Sequence, residues 1–224
     1  KEYYGWVELK SNSGDALLLS DYYISDDRDD YLLYRLPEVE LGPGELILLY
    51  CSSEELPEGY YSTGFELNSE NEQLYLASAE GELLDCISLK GIPYLGSYGR
   101  MSGENGSFYF ASPSPGAENS GGERRVAEKP VSLTEDGVYN GIDGMYVELS
   151  APGAIRYTLD GSAPTAESPE YTGPIYIDST TVIRAVNFEE GALPSRTLSL
   201  SYIINENHSL PVLSLLTDSP TEFD

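Results

Sequence analysis

A chain of 224 residues is long enough to bury one or two sizeable cores. Its 38 acidic residues against 12 basic ones give a net charge of −26, so its surface repels phosphate backbones and anionic lipid headgroups. Nucleic-acid binding by electrostatics and direct membrane insertion are therefore not expected, and no apolar run is long enough for a transmembrane helix.

The acidity is not a tail. Residues 1–119 carry 22 acids and 6 bases (−16) and residues 120–224 carry 16 and 6 (−10). Self-repulsion of this size favours a soluble monomer. The sequence reads as a segment of a longer protein, with any targeting signal lying outside it.

In chain order, residues 4–10 (YGWVELK) alternate as a strand, and residues 17–19 with 22–25 make a second, broken one. Residues 25–30 (SDDRDD) form an acidic turn, and residues 32–36 are expected as a strand after it. Leu41-Gly-Pro-Gly44 is a turn leading into ELILLYC, the most apolar strand of the first half. QLYLAS (73–78) and LLDCISL (83–89) pair as a hairpin, with Gly81 at the position needing backbone freedom. SYGRM and FYFAS complete this part, and SPSPGAEN closes it in extended conformation. Residues 120–130 are polar and glycine-containing and read as a linker.

The second part offers strands at 131–133, 145–149, 155–159, 175–177, 181–187 and 198–204. Asp160-Gly161 suits a tight strand-to-strand turn, and Pro164, Pro169 and Pro174 confine the residues between them to a braced surface loop. Almost no helix is expected, because no segment keeps a 3.6-residue period.

Three resemblances add to this reading. RYTLDGSAPTAESPEYTGPI, within residues 131–204, resembles the immunoglobulin-like module at the C-terminus of chitobiase and β-hexosaminidase enzymes, which implies a non-catalytic accessory domain. GWVELKSNSGDALLLSDYYISDD, LPEVELGPGELILLYCS and SYGR…GSFYFASPSPGAEN, within residues 1–119, resemble a lamin-tail domain, also an immunoglobulin-like sandwich. LPVLSLLTD, within residues 205–224, resembles the first strand of a CotH-type kinase domain, whose catalytic body would follow Asp224. Together they imply an all-β segment of two tandem immunoglobulin-like β-sandwiches from a bacterial surface or secreted protein, with an extracellular location. Spacer or adhesion duty is the leading expectation. Binding of polysaccharide or cell-wall components, and substrate docking for such a kinase, are the alternatives.

Candidate chemistry is sparse. His208 is the sole histidine, so Cys51 and Cys86 lack a second base to activate them. Both cysteines fall in apolar runs and read as buried thiols, a disulfide between them being the less favoured alternative. No phosphate-cradling glycine motif occurs. No cofactor is expected apart from a weak calcium candidate at Asp26, Asp27, Asp29 and Asp30, set against a plain solvated turn. Nineteen tyrosines are many for this length. The adjacent pairs Tyr3-Tyr4, Tyr22-Tyr23 and Tyr60-Tyr61 would each point one ring away from the core, where it can stack on a sugar or simply suit a strand.

Overall fold

The computed structural model describes residues 5–54, 56–67, 71–92, 96–206, 208 and 211–215. Among them the only helical segment is one 3₁₀ turn, Leu19–Asp21; the rest is strand and loop, an all-β, immunoglobulin-like architecture. The chain divides into two compact units. The first holds the residues up to 92 together with 96–107 and 112–121, and the second holds 108–111 and the chain from 122 on.

The first unit contains β1 (Gly5–Lys10), β2 (Leu17–Leu18), β3 (Tyr22–Ser25), β4 (Tyr34–Arg35), β5 (Glu40–Leu41), β6 (Leu46–Cys51), β7 (Tyr61–Ser62), β8 (Asn71–Ser78), β9 (Leu83–Lys90) and β10 (Ser97–Arg100). Strands β1, β6 and β7 form one sheet, β4, β3, β8 and β9 another, and β2 pairs with β5. In β6 every residue is apolar, yet Ile47, Leu49 and Cys51 are buried while Leu46, Leu48 and Tyr50 are only half-buried. Antiparallel register sets Val7 opposite Leu49 and Leu9 opposite Ile47, so two sets of alternating side chains share the core with Leu19, Ile24, Leu36, Leu41 and Leu74.

Local chemistry explains the turns. Gly44 stands at φ +76° in the expected Leu41–Gly44 turn, where the Glu45 carboxylate accepts the Gly42 N–H at 2.8 Å. The β8–β9 hairpin closes through Ser78 N–H to Glu82 O at 2.9 Å. Two expectations fail here. Residues 32–33 are turn rather than strand, because the acidic loop before them is longer than its charges suggested, and only Tyr34–Arg35 pair with β3. Cys86 is exposed: Ile87 turns inward, so its neighbour must face out opposite Tyr75, and both cysteines are free thiols.

Strand β11 (Ser107–Phe110) follows, and from Phe108 on it clusters with the second unit. Tyr109 and Glu123 exchange backbone hydrogen bonds at 2.7 and 2.9 Å. Of the stretch expected as a linker, residues 122–130 pack against their own unit, with Ala127 N–H on Leu193 O and Leu193 N–H on Arg125 O.

The second unit continues with β12 (Val131–Ser132), β13 (Gly137–Tyr139), β14 (Met145–Val147), β15 (Leu149–Ser150), β16 (Ala154–Thr158), β17 (Ile175–Ile177), β18 (Thr181–Phe188) and β19 (Leu198–Ile204). One sheet runs β13-β19-β18-β16. The other is built from the pairs β12–β15 and β14–β17, joined by Leu133 N–H to Glu148 O at 2.8 Å. Val147, Leu149, Ile155, Ile175, Ile177, Ile183, Ala185, Leu200, Tyr202 and Ile204 fill the space between them. The Tyr202 hydroxyl, fully buried, donates to Thr134 O at 2.9 Å. Strand β13 had no clear sequence signal; it lies parallel to β19 and is held by Asn205, whose side chain accepts from Gly141 N–H and donates to Ile142 O.

Candidate functional site

Nucleophilic or acid–base catalysis needs partnered groups. His208 is exposed and, among the described residues, meets Glu206 at 3.1 Å. Cys51 is buried beside the Thr63 hydroxyl, and desolvation pushes its thiol up to about 12, the wrong direction for a nucleophile. Among the described residues no group of three or more His, Cys, Asp or Glu side chains gathers in a form that can hold a metal.

In the acidic turn, the Asp27 and Asp30 side chains of the calcium candidate bond within their own loop. The buried Ser25 hydroxyl donates to the backbone carbonyl of Asp30 at 2.6 Å and accepts the Asp27 N–H at 2.9 Å. The Asp27 carboxylate accepts the Asp29 N–H and the Asp30 carboxylate accepts the Leu32 N–H. These side chains cap their own loop. Asp26 is half-buried and Asp27, Asp29 and Asp30 are exposed.

The Asp160-Gly161 corner is real but does not close a hairpin between neighbouring strands. Gly161 adopts φ +81°, and the Asp160 carboxylate accepts from both the N–H and the hydroxyl of Ser162, which holds its carboxyl below the usual range. The chain then returns beside β16, where Tyr157 N–H reaches Pro169 O and Tyr171 N–H reaches Ile155 O. It crosses to the opposite sheet, so that β17 pairs with β14 rather than with β16. The mostly buried Arg184 lies under the corner and donates to Gly161 O at 3.3 Å.

That crossing builds the aromatic feature of this unit. In β14 and β17 the buried residues Val147, Ile175 and Ile177 alternate with Tyr146 and Tyr176, which stand directly opposite each other on the outer face. The two rings are 63% and 51% exposed, with centroids 5.2 Å apart and planes tilted by 56°. The Tyr176 hydroxyl donates to Asp143 O at 3.2 Å. Gly144, at φ +151°, lies beneath this ring; a Cβ there would run into the tyrosine hydroxyl and, at 2.9 Å, into Ile177 O. Val131 and Leu133, 54% and 66% exposed, extend the same outer face, and Glu148 stands on it between Leu133 and the tyrosine pair.

Of the adjacent tyrosine pairs singled out from the sequence, Tyr3-Tyr4 lies outside the described residues. Tyr22 packs against the first core with Tyr23 half-buried beside it. Tyr60 is 56% exposed and contacts Tyr50, at 5.5 Å between centroids, while Tyr61 packs against the core. Tyr146 and Tyr176 escaped notice because each is a single tyrosine in a short strand. The available signal was alternation: in MYVEL and IYID the tyrosine occupies the polar register between residues destined for the core.

Residues 134–199 match the chitobiase/beta-hexosaminidase C-terminal domain family. No curated protein and no solved structure matches the chain. The matched stretch begins just after β12 and ends as β19 begins, and it contains both outer-face tyrosines and the Asp160-Gly161 corner.

Proposed function

We propose that this chain is a non-enzymatic, carbohydrate-associated segment of a bacterial extracellular protein, binding polysaccharide or cell wall and holding its neighbours apart. The observation that carries this reading is the match of residues 134–199 to the C-terminal domain of chitobiase and beta-hexosaminidase enzymes, a module distinct from the part of those enzymes that does the chemistry. A paired set of exposed tyrosines on that same module supports recognition over pure spacing. On resemblance alone, residues 1–119 are read as a lamin-tail-like sandwich and residues 205–224 as the start of a CotH-type domain, with 120–130 as the connection. Spacer duty without a ligand is the second reading, favoured by the high net charge, which keeps copies of the chain apart.

The test is retention of the purified segment on insoluble chitin, cellulose and bacterial cell wall at low and high salt. Retention that survives salt and is competed by soluble sugar supports recognition. Absence of retention on all three leaves the spacer.

A further inference from the structure

We infer that the outer face of the β12–β15–β14–β17 sheet, centred on Tyr146 and Tyr176, is the ligand platform, and that its ligand is an extended, uncharged polysaccharide. This rests on the reading of the chain as carbohydrate-associated and assigns the surface and the ligand class.

Three observations bear on it. The first is rigidity. Exposed tyrosines ordinarily lose rotamer freedom when they bind. Here Tyr176 is held by its bond to Asp143 O and supported by its cross-strand contact with Tyr146. Gly144 beneath it leaves space that no other residue would leave, because any Cβ would displace the ring. The aromatic surface is therefore set before a ligand arrives, which lowers the entropy cost of binding.

The second is shape and chemistry. Tyr146 and Tyr176, with Leu133 and Val131 beyond Glu148, put exposed apolar surface on the outer side of this sheet. A pyranose chain presents C–H faces to such rings and hydroxyl groups at its edges. Glu148, between Leu133 and the tyrosines, and Asp178, two residues beyond Tyr176, are exposed acceptors for those hydroxyls.

The third is charge. The chain carries −26, and Asp143, Glu148 and Asp178, close to the pair in sequence, are acidic. Uronic, sulfated or phosphorylated polymers are repelled, and a second copy of this chain is repelled equally. A neutral glycan meets no such barrier.

The experiment is depletion binding of the whole segment to cellulose and chitin (uncharged), polygalacturonate (anionic) and chitosan (cationic), at 0.1 M and 1 M salt. Wild type is expected on an uncharged polymer at both salts. Tyr146→Ala and Tyr176→Ala should each lose about tenfold or more in affinity, as truncation of an aromatic anchor does. Tyr176→Phe should keep most of it, and Tyr60→Ala, on the first unit, should change nothing. Melting curves identify any variant that has lost its fold; Tyr146→Thr and Tyr176→Thr, which keep a good strand former on the exposed face and are expected to lose binding as the alanine variants do, then carry the comparison with Tyr60→Ala. Binding to an uncharged polymer that is untouched by Tyr146→Ala and Tyr176→Ala, or abolished by Tyr60→Ala, overturns the platform while leaving the carbohydrate reading intact. Retention on chitosan alone, lost at 1 M salt, overturns the uncharged ligand class. Failure on every polymer removes both inferences.

Discussion

Asn187 is a position at which the second unit depends on a single polar side chain. Its side chain is fully buried in β18, an unusual place for an amide. Its Nδ2 donates to Glu128 O and to the Glu189 carboxylate, both at 2.9 Å, and its Oδ1 accepts the Gly153 N–H at 3.1 Å. One amide thereby ties the approach to β12, the turn before β16 and the end of β18. Asn187→Ala removes all three bonds and leaves the Gly153 N–H and the Glu128 carbonyl short of partners. At about 1–3 kcal/mol for each buried group left unsatisfied, and taking the lower half because both lie near the surface, the loss is about 2–4 kcal/mol. For a unit of this size that is a fall in melting temperature of roughly 8–16 °C. Asn187→Asp is expected to be worse at neutral pH, since it sets a second carboxylate against Glu189, and to recover toward the alanine variant on acidification. The assay is calorimetry with amide exchange read along β18, because the sole tryptophan, Trp6, belongs to the first unit and does not report on the second. A loss below about 1 kcal/mol would refute the hub role, since it would lie within the range of an ordinary substitution.

Gly144→Ala should displace Tyr176 and strain a backbone at φ +151°, destabilising the second unit by about 1–3 kcal/mol and weakening polysaccharide retention with both tyrosines intact; melting and depletion binding read the two effects. A thiol reagent should titrate Cys86 promptly in native protein and reach Cys51 only after unfolding, given that Cys51 is buried and its thiol is raised to about 12. The hydrogen bond from Arg125 holds the Glu189 carboxyl below its ordinary value, so its contribution is present above the unfolded carboxylate pKa and lost as pH falls through the lower folded one. The stability gap between wild type and Arg125→Ala, from urea midpoints, should accordingly narrow below about pH 4 and stay constant above about pH 6. Calcium added to metal-free protein should leave the melting temperature unchanged, since the Asp27 and Asp30 carboxylates serve their own loop; a rise of several degrees would identify the acidic turn as a calcium site.

How much of this was legible depended on whether a residue's environment is local. ELILLYC and the QLYLAS–LLDCISL hairpin could be read directly, because strand alternation and a turn glycine are short-range properties. Cys86 was misjudged from the same pattern: an apolar run gives a strand but not its phase, and the inward turn of Ile87 decided which neighbour faced water. Strand β13 was missed because three residues, Gly-Val-Tyr, carry no period, and its parallel partner lies more than sixty residues later. The Asp160-Gly161 corner was correctly placed and wrongly connected. Turn chemistry fixes φ at a glycine, but which sheet the chain joins next depends on where β14 already lies. The tyrosine platform was invisible for the same reason, since Tyr146 and Tyr176 meet only through that pairing.

This separation between motif and platform bears on what the module is for. The residues that carry the family resemblance, Asp160, Gly161, Ser162 and the prolines after them, spend their chemistry on the loop itself: Asp160 on Ser162, Gly161 O on the buried Arg184. None of them is a tyrosine of the outer face. The loop's effect on that face is indirect. By carrying the chain from β16 across to β14 it sets Tyr176 opposite Tyr146, and it does so whatever residue occupies position 176, provided that Ile175 and Ile177 remain in the core. The family match therefore speaks for the architecture of residues 134–199, and the case for a ligand rests separately on the two tyrosines. Replacing both tyrosines with threonine, a good strand former on an exposed face, should therefore leave the sandwich folded and, on the proposed reading, abolish retention on polysaccharide; retention unchanged in a folded double variant would refute that reading of the tyrosines.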